Sequence, residues 1–342
     1  MRPIHRFAVA WTIALAPLVP LPRPASAEDP AVGPTNTAGH EVSRAAGPQK
    51  GSDRDETVSV DGKDRSYTLH LPPGVEGSGM RALVFNFHGS HGSADQQAEL
   101  SGFDDYADRN GFVVVYPEGV DKTWNDGRGT TLAAQKGVDD VKFARMIYDQ
   151  VRASIPIDPK RVYATGLSSG AILSARLACD MSDLFAAVGM VAGSMATRYR
   201  PMCRPVSPVS VVSIVGDADE LVPMQGGEEG WKNREGEGGA LDSQADLVKF
   251  WARQDACKAT PAITRLPSAK QDGTAVTKTE YGGCKDGSAV VLYTIAGGGH
   301  AWPPKEFRSF LLNRMAGKSS ANIDATDVVW TFFSDHAKDS QR

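Results

Sequence analysis

Along residues 57–337, short apolar runs of strand length alternate with segments in which apolar residues recur at helical spacing. Short apolar runs are typical of strands that are buried on both faces of a parallel sheet. These runs occupy residues 82–87, 112–116, 161–165, 185–192, 209–215 and 290–295. Between them, helical spacing predicts helices over 95–110, 138–155, 171–178, 241–256 and from Asp324 or Thr326 to His336. The alternation predicts a doubly wound α/β domain, in which helices flank a mostly parallel sheet.

The ordered part of the chain is expected to begin near Thr57. Apolar and polar residues alternate there on both sides of Asp61 and Gly62, a pair that favours a hairpin turn. Residues 28–55 are rich in proline, glycine, alanine and charge, and they hold almost no large apolar residue. This composition predicts a disordered leader. The domain is therefore expected to span residues 56–337.

The first 27 residues have the pattern of a cleaved secretion signal. Arg2 and Arg6 form a basic start, residues 7–19 are apolar, and residues 25–27 read Ala-Ser-Ala. A membrane anchor is the alternative, but the apolar run is short for a span and contains Pro17. We therefore expect a secreted protein, either extracellular or periplasmic.

The charge balance bears on possible partners. The chain has a formal net charge of −4. The signal segment carries three arginines and no acidic residue, so its removal leaves a more acidic protein. A mildly acidic protein is a poor candidate for binding nucleic acid or an anionic membrane.

Four cysteines follow the signal: Cys179, Cys203, Cys257 and Cys284. An even number of cysteines in an exported chain predicts two disulfides, and three pairings are possible. We favour 179–203 with 257–284, because each pair closes a short loop. A zinc site is the alternative, but the spacing contains no C-x-x-C, and no metal is expected.

Residues 166–170 read Gly-Leu-Ser-Ser-Gly, with a predicted strand before them and a predicted helix after them. This order is the context of a nucleophile elbow, where a serine occupies a strained turn and its hydroxyl is exposed. The bare pentapeptide also fits an ordinary glycine-rich turn. The flanking elements favour the elbow and make Ser168 the candidate nucleophile.

A serine hydroxyl needs a base, and the base needs an acid that orients it. In a hydrolase of this architecture, these groups follow in the order serine, acid, histidine. Asp217 and Asp219 follow the strand at 209–215; we favour Asp219, which lies further into the loop, and interpret Asp217 as a turn former. Among seven histidines, only His300 lies on a loop directly after a later strand.

An oxyanion hole requires backbone N–H groups. One donor is expected at Ser169, the residue after the nucleophile, and the other in the loop after an early strand, at Ser90. The polar insertion at 225–240 is either a mobile flap over the site or a plain surface loop.

Eight short motifs occur in order and together resemble the secreted polyhydroxybutyrate depolymerase/feruloyl esterase family of α/β-hydrolases. They cover about residues 57–337. The motifs begin at His88, Trp124, Val138, Gly166, Phe185, Val191, Gly216 and Gly297.

The resemblance implies ester hydrolysis without a cofactor by Ser168, Asp219 and His300. It also implies that Trp124 and Trp302 line the acyl pocket, although core packing is the alternative for each indole. The pairing of Cys179 with Cys203 is likewise what the family suggests.

Ser169 and Ala171 depart mildly from the small residue and the glycine that members often carry after the serine, which leaves the pocket shape open. Polyester depolymerases usually append a polymer-binding domain. The sequence shows none after its last predicted helix, which favours soluble feruloyl or other aryl esters, or short polyhydroxyalkanoate oligomers. The expected partner is thus an ester substrate derived from plant polysaccharide or polyester.

Two other functions fit parts of the pattern. A serine peptidase shares the fold and the three residue types, but the sequence has no repeat domain of the kind that gates peptides. A non-catalytic hydrolase-like binding module usually lacks one of the three residues, and all three are present here.

Overall fold

The computed structural model describes residues 49–77, 79–229 and 238–338. The predicted secretion signal and most of the predicted leader, up to residue 48, lie outside these residues. The signal, 1–27, and the leader up to residue 48 therefore remain predictions at the sequence level. Among the described residues, none of the helices combines the length and the apolar character needed to cross a bilayer.

A ten-stranded sheet forms the centre of the described structure, in the order β1-β2-β4-β3-β5-β6-β7-β12-β11-β10. The strands are β1 (Ser52–Val60), β2 (Lys63–Leu71), β3 (Arg81–Phe87), β4 (Val113–Pro117), β5 (Ile157–Leu167), β6 (Ala187–Val191), β7 (Ser210–Gly216), β10 (Ala262–Arg265), β11 (Ala275–Tyr281) and β12 (Val290–Ala296). A separate ribbon pairs β8 (Gly227–Glu228) with β9 (Ala240–Leu241).

The six central strands are parallel, and an antiparallel hairpin closes each edge of the sheet. The helices are α1 (Ala94–Ser101), α2 (Phe103–Asn110), α3 (Leu132–Gln135), α4 (Asp140–Ser154), α5 (Ser169–Asp180), α6 (Gln244–Gln254), α7 (Phe310–Ala316) and α8 (Ala325–Asp335). This architecture confirms the predicted doubly wound, mostly parallel α/β fold.

Two hydrophobic cores cover the two faces of the sheet. One contains side chains of α4, α5 and α6, and the other contains side chains of α1, α2 and α8. Every residue of β4, β6 and β7 is buried, which is why these strands are continuous apolar runs in the sequence.

The single helix predicted over 95–110 is wrong, because the structure contains α1 and α2 instead. Gly102 separates them in a left-handed conformation, with φ of 64°. The preceding Ser101 is buried and accepts a hydrogen bond from Asn86 at 2.9 Å, which fixes the chain at the break. The apolar spacing continues across the break, so the pattern alone did not reveal it.

The chain also becomes ordered earlier than predicted. Strand β1 begins at Ser52, within the predicted leader and before Thr57. Its first four residues are exposed and polar, and its pairing with β2 supplies order that the composition does not indicate.

The edge strands β10 and β11 and helix α7 were not predicted. All four residues of β10 are exposed, so it lacks an alternating pattern.

Both favoured disulfides are present. Cys179 at the end of α5 is bonded to Cys203, and Cys257 after α6 is bonded to Cys284. The first disulfide ties the elbow helix to the loop that precedes β7.

His70 on β2 ties the edge hairpin to α2. Its Nδ1 lies 2.6 Å from an Asp53 oxygen, and its Nε2 lies 3.0 Å from Asp108. Asp104 also faces Nδ1, at 3.6 Å, and accepts a hydrogen bond from Tyr116 at 2.7 Å. Burial alone would lower the pKa of His70, but the three carboxylates outweigh it and raise this pKa.

We expect His70→Gln to lower the free energy of unfolding by about 2 kcal/mol at pH 6, because hydrogen bonds to charged groups contribute roughly 1.5–3 kcal/mol. The pKa of His70 is higher in the folded chain, so its contribution is complete below the ordinary value of 6.5 and is lost as the pH rises through the folded value. Urea unfolding of both proteins between pH 6 and pH 9 measures this. If the difference in the free energy of unfolding between the two proteins stayed constant over this pH range, the charge of the His70 imidazolium would not contribute to stability.

Asp255, directly after α6, is a fully buried carboxyl group. Within the described part of the chain, neither of its side-chain oxygens makes a well-formed hydrogen bond. Burial raises the pKa of Asp255 to about 7, although the nearby Val209 N–H, Ser288 hydroxyl and Lys338 ammonium oppose the shift. Its ionisation therefore disfavours the folded state.

Asp255→Asn should remove this penalty. The pKa of Asp255 is raised on folding, so the wild type loses stability as the pH rises from about 4 to about 7. The variant should match the wild type near pH 4 and exceed it at pH 8 by roughly 2–4 kcal/mol in the free energy of unfolding. Chemical denaturation at both pH values, with the disulfides intact, measures the gain. Equal stabilities at pH 8 would contradict the expected penalty.

Candidate active site

Ser168 lies on a sharp turn between β5 and α5. Its backbone has φ of 55° and ψ of −118°, an unfavourable combination for a residue with a side chain. Two hydrogen bonds hold the turn: the Ser168 N–H donates to Val191 O at 3.0 Å, and the Ile172 N–H donates to Ser168 O at 3.0 Å. The strand, turn and helix thus follow the order that the sequence predicted.

The elbow packs directly against the end of β3. A Cβ atom on Gly170 would lie 2.2 Å from the carbonyl oxygen of Phe87, and one on Gly166 would lie 2.5 Å from the same atom. Neither position can hold a side chain without moving the backbone. The two glycines therefore bring Ser168 next to the loop that follows β3, residues 88–92.

Asp219 and His300 meet because β7 and β12 are neighbours in the sheet. His300 Nδ1 lies 2.8 Å from Asp219 Oδ2. The other oxygen of Asp219 accepts the N–H groups of Leu221 at 2.9 Å and Val222 at 2.8 Å. Both the imidazole and the carboxylate are buried. This arrangement fixes the carboxylate, which in turn orients the ring.

Asp217, the other candidate acid, lies at a different place. Its Oδ1 accepts the Gly297 N–H at 2.7 Å, and its own N–H donates to Ile295 O at 3.0 Å. These bonds join the loop after β7 to the loop after β12. The interpretation of Asp217 as a turn-forming residue agrees with this position.

The electrostatic surroundings of His300 favour its charged form. Burial alone would lower its pKa, but the hydrogen-bonded Asp219 and the nearby charge of Glu229 raise it above the ordinary value. A base with a raised pKa accepts a proton readily and holds it while charge develops on the substrate.

Ser168 and His300 line one cavity of about 540 Å³. Its walls come from the 88–92 loop, from α1 and from residues 305–316. Among the hydrogen bonds of the described residues, none joins the Ser168 hydroxyl to the imidazole. In free enzymes such contacts are often loose and tighten when substrate binds.

The predicted oxyanion residues lie beside Ser168. Ser90 lines the cavity, and Ser169 is the first residue of α5. Burial lowers the pKa of His88 to about 4, so its ring is neutral. The ring Nδ1 bonds Gly89 O at 2.8 Å, and Nε2 accepts the Gly119 N–H at 3.1 Å. His88 thus braces the loop that carries Ser90.

The two predicted pocket tryptophans lie in the core instead. The side chains of Trp124 and Trp302 are 0% exposed, and neither lines the cavity. Each indole packs edge to face against a phenylalanine. The Trp124 N–H donates a hydrogen bond to His88 O, and the Trp302 N–H donates one to Thr326 Oγ1, both at 2.8 Å. Core packing, the alternative considered for both, is what the structure contains.

The residues that form the apolar wall of the cavity were not predicted from the sequence. Leu312 and Met315 of α7 line it, together with Leu100, Leu221 and Phe307. The cluster of large apolar residues at 310–315, outside every predicted element, was the only signal in this part of the sequence, and it indicates an apolar segment without indicating a cavity.

The ends of the 225–240 insertion pair as β8 and β9. Glu229, next to β8, is buried and forms an ion pair with Arg128, whose guanidinium also binds Asp126 at 2.7 Å. The middle of the insertion, residues 230–237, lies outside the described residues. The two alternatives drawn from the sequence, a flap and a plain surface loop, therefore both stand as the sequence left them.

A possible metal-binding group lies elsewhere. The ligand atoms of Asp53, His70 and Asp104 are within 4.8 Å of one another, and no other such group occurs within the described ranges. None of the three residues lines the cavity.

Comparisons with known proteins identify the family of this chain. The family model described as "Esterase PHB depolymerase" matches residues 65–212. NocK of Nocardia uniformis subsp. tsuyamanensis, which carries an esterase name, is 33% identical over 265 residues, 73% of this chain and 74% of its own length. Feruloyl esterase C of Emericella nidulans is 24% identical over 79% of this chain and 83% of its own.

Two further similarities complete the comparison. Feruloyl esterase B of Piromyces equi is 29% identical over 69% of this chain, which spans only 42% of that longer protein. Among solved structures, acetyl xylan esterase from Aspergillus awamori superimposes on this chain with a TM-score of 0.56 at 16% identity. The superposition covers 83% of this chain and all of that one. At this identity, the likeness shows the fold alone. This chain is a carboxylic ester hydrolase and belongs to the polyhydroxybutyrate depolymerase/feruloyl esterase family of α/β-hydrolases.

Proposed function

We propose that this esterase works through an acyl-enzyme on Ser168, with His300 as the proton carrier and Asp219 as its orienting acid. The observation that carries the proposal is the 2.8 Å contact between buried Asp219 and His300, which lines the same cavity as the strained Ser168. A hydroxyl, an imidazole and a carboxylate in this order are the parts that nucleophilic ester hydrolysis requires.

In the first step, the Ser168 oxygen attacks the ester carbonyl carbon while His300 takes the hydroxyl proton. The carbonyl oxygen becomes an oxyanion, which the backbone N–H groups of Ser169 and Ser90 stabilise. The tetrahedral intermediate collapses, the bond to the alcohol breaks, and the proton of His300 goes to the departing oxygen. In the second step, His300 takes a proton from a water molecule as the water oxygen attacks the acyl carbonyl carbon. The bond to Ser168 then breaks, the proton passes from His300 to the Ser168 oxygen, and the carboxylic acid is released.

The proposed substrates are aryl esters of the feruloyl type. Two relatives named feruloyl esterases support this class, and the cavity of about 540 Å³ with a largely apolar wall has room for an aromatic acyl group. Short polyhydroxyalkanoate oligomers are the second class, supported by the description of the family model. Neither class requires a cofactor.

Secretion is part of the proposal. The signal pattern at 1–27 and the two disulfides support export to the extracellular space or the periplasm.

Ser168→Ala should abolish the hydrolysis of p-nitrophenyl esters, with kcat lower by at least about 10⁴-fold, because the nucleophile is lost. It should also abolish covalent labelling by a fluorophosphonate, while the melting temperature stays within a few degrees. Ser334→Ala, which changes an exposed serine of α8, is the matched control and should keep both activities. A variant without Ser168 that still turns over at a comparable rate would place the nucleophile elsewhere.

Asp219→Asn should lower kcat by roughly 10⁴-fold, because an amide no longer holds the imidazole in the required tautomer. The wild-type kcat/KM should rise with pH through the raised pKa of His300, since only the neutral ring can act as base. In the variant, the residual activity should have its acid limb at lower pH, because the carboxylate that raises the pKa is gone. An unmoved acid limb would exclude Asp219 as the partner of the base.

A further inference from the structure

Helix α7 carries an unusual number of exposed apolar side chains. Phe310 is 83% exposed, Leu311 is 64%, Leu312 is 44% and Met315 is 37%. Four of the seven residues of this helix therefore carry large, exposed apolar side chains. Such a surface beside a cavity marks a place where a ligand removes apolar area from water.

Only two of these four side chains line the cavity. Leu312 and Met315, three residues apart and therefore neighbours along the helix, line the cavity that contains Ser168. Phe310 does not line the cavity, although it is the most exposed of the four. The inward pair thus faces the reacting serine across the same space, and Phe310 offers an internal control.

The backbone at the end of α7 is fixed to the loop that carries the imidazole. The His300 N–H donates to Ala316 O at 2.6 Å, and the Gly299 N–H donates to Lys318 O at 2.8 Å. At the other end, the side chain of Asn313 binds both the N–H and the C=O of Phe307 at 2.7 Å. The apolar wall is therefore held at a set position relative to His300.

We propose that Leu312 and Met315 bind the acyl part of the ester and set a preference for large apolar acyl groups over acetyl. The inference rests on the proposed acyl-enzyme function of Ser168. The acyl group is bonded to Ser168 through both half-reactions, whereas the alcohol leaves after the first. In this proposal the wall, fixed relative to His300, contacts the acyl group in both half-reactions, and each contact contributes to selectivity for it.

The test compares two substrate series. In the first, p-nitrophenol is constant and the acyl group is acetyl, butyryl or hexanoyl; in the second, the acyl group is feruloyl and the alcohol is methyl or butyl. Leu312→Ala with Met315→Ala should lower the hexanoyl-to-acetyl ratio of kcat/KM about tenfold, because one buried methylene in an apolar pocket is worth roughly 10–200-fold. The methyl-to-butyl ratio should stay constant.

Phe310→Ala is the matched control, since it removes a larger exposed side chain from the same helix without touching the cavity. It should leave both ratios at their wild-type values. A hexanoyl-to-acetyl ratio that survives the double substitution would overturn the proposal. An equal loss in Phe310→Ala, or a change in the alcohol series alone, would overturn it as well.

This failure is distinguishable from failure of the proposed function. If Ser168→Ala hydrolyses the acetyl ester as fast as the wild type does, the acyl-enzyme is wrong and the inference falls with it. If hydrolysis depends on Ser168 but the hexanoyl-to-acetyl ratio of kcat/KM is unchanged in the Leu312→Ala, Met315→Ala variant, only the inference is wrong. Because Leu312 and Met315 are both partly exposed, their truncation removes little core, and circular dichroism with a melting curve verifies that the variants fold.

Discussion

The parallel pairing of β7 with β12 is the contact on which the site depends. Gly216 at the end of β7 is in register with Ile295 near the end of β12. The loops that follow these strands therefore start side by side, although 81 residues separate Asp219 from His300 along the chain. Asp217 reinforces the same junction through its bonds to the loop after β12. Any change that shifted this register would separate the carboxylate from the imidazole.

Three buried histidines show how the environment gives one residue type three chemical roles. Burial lowers the pKa of His88 and keeps the ring neutral, and both of its nitrogens are held by backbone groups, Gly89 O and the Gly119 N–H. His70 is surrounded by three carboxylates and holds the edge hairpin to α2. His300 has one bonded carboxylate and an opening to the cavity, so it combines a raised pKa with access to a ligand. Position relative to charge and solvent distinguishes the three, because their intrinsic pKa is the same.

The cavity combines rigid and exposed parts. Ser168, His88 and the two buried indoles belong to the packed core at the ends of the central strands. Helix α7 lies on the outside and is held mainly by backbone hydrogen bonds and by Asn313. In the proposed mechanism, a buried reacting centre with a partly exposed wall separates the chemistry, which needs fixed geometry, from the recognition of the substrate, which varies with the wall.

The sequence by itself determined the central sheet and the order of the candidate chemistry. Buried strands are apolar along their whole length, and the Gly-x-Ser-x-Gly turn requires small residues at two specific positions, so both leave local signals. Asp219 and His300 could be chosen because each follows a strand, and parallel strands end at one edge of a sheet. The disulfide pairing could be chosen from loop length alone.

Tertiary structure decided what depends on partners distant in the chain. An indole has the same apolar character in a core as in a pocket, so only packing revealed that Trp124 and Trp302 are fully buried. The break at Gly102, the early start of β1 at Ser52 and the edge strands depend on hydrogen bonds across the fold. The wall on α7 is defined by facing Ser168 across a cavity, and the sequence pattern of seven residues contains no information about what they face.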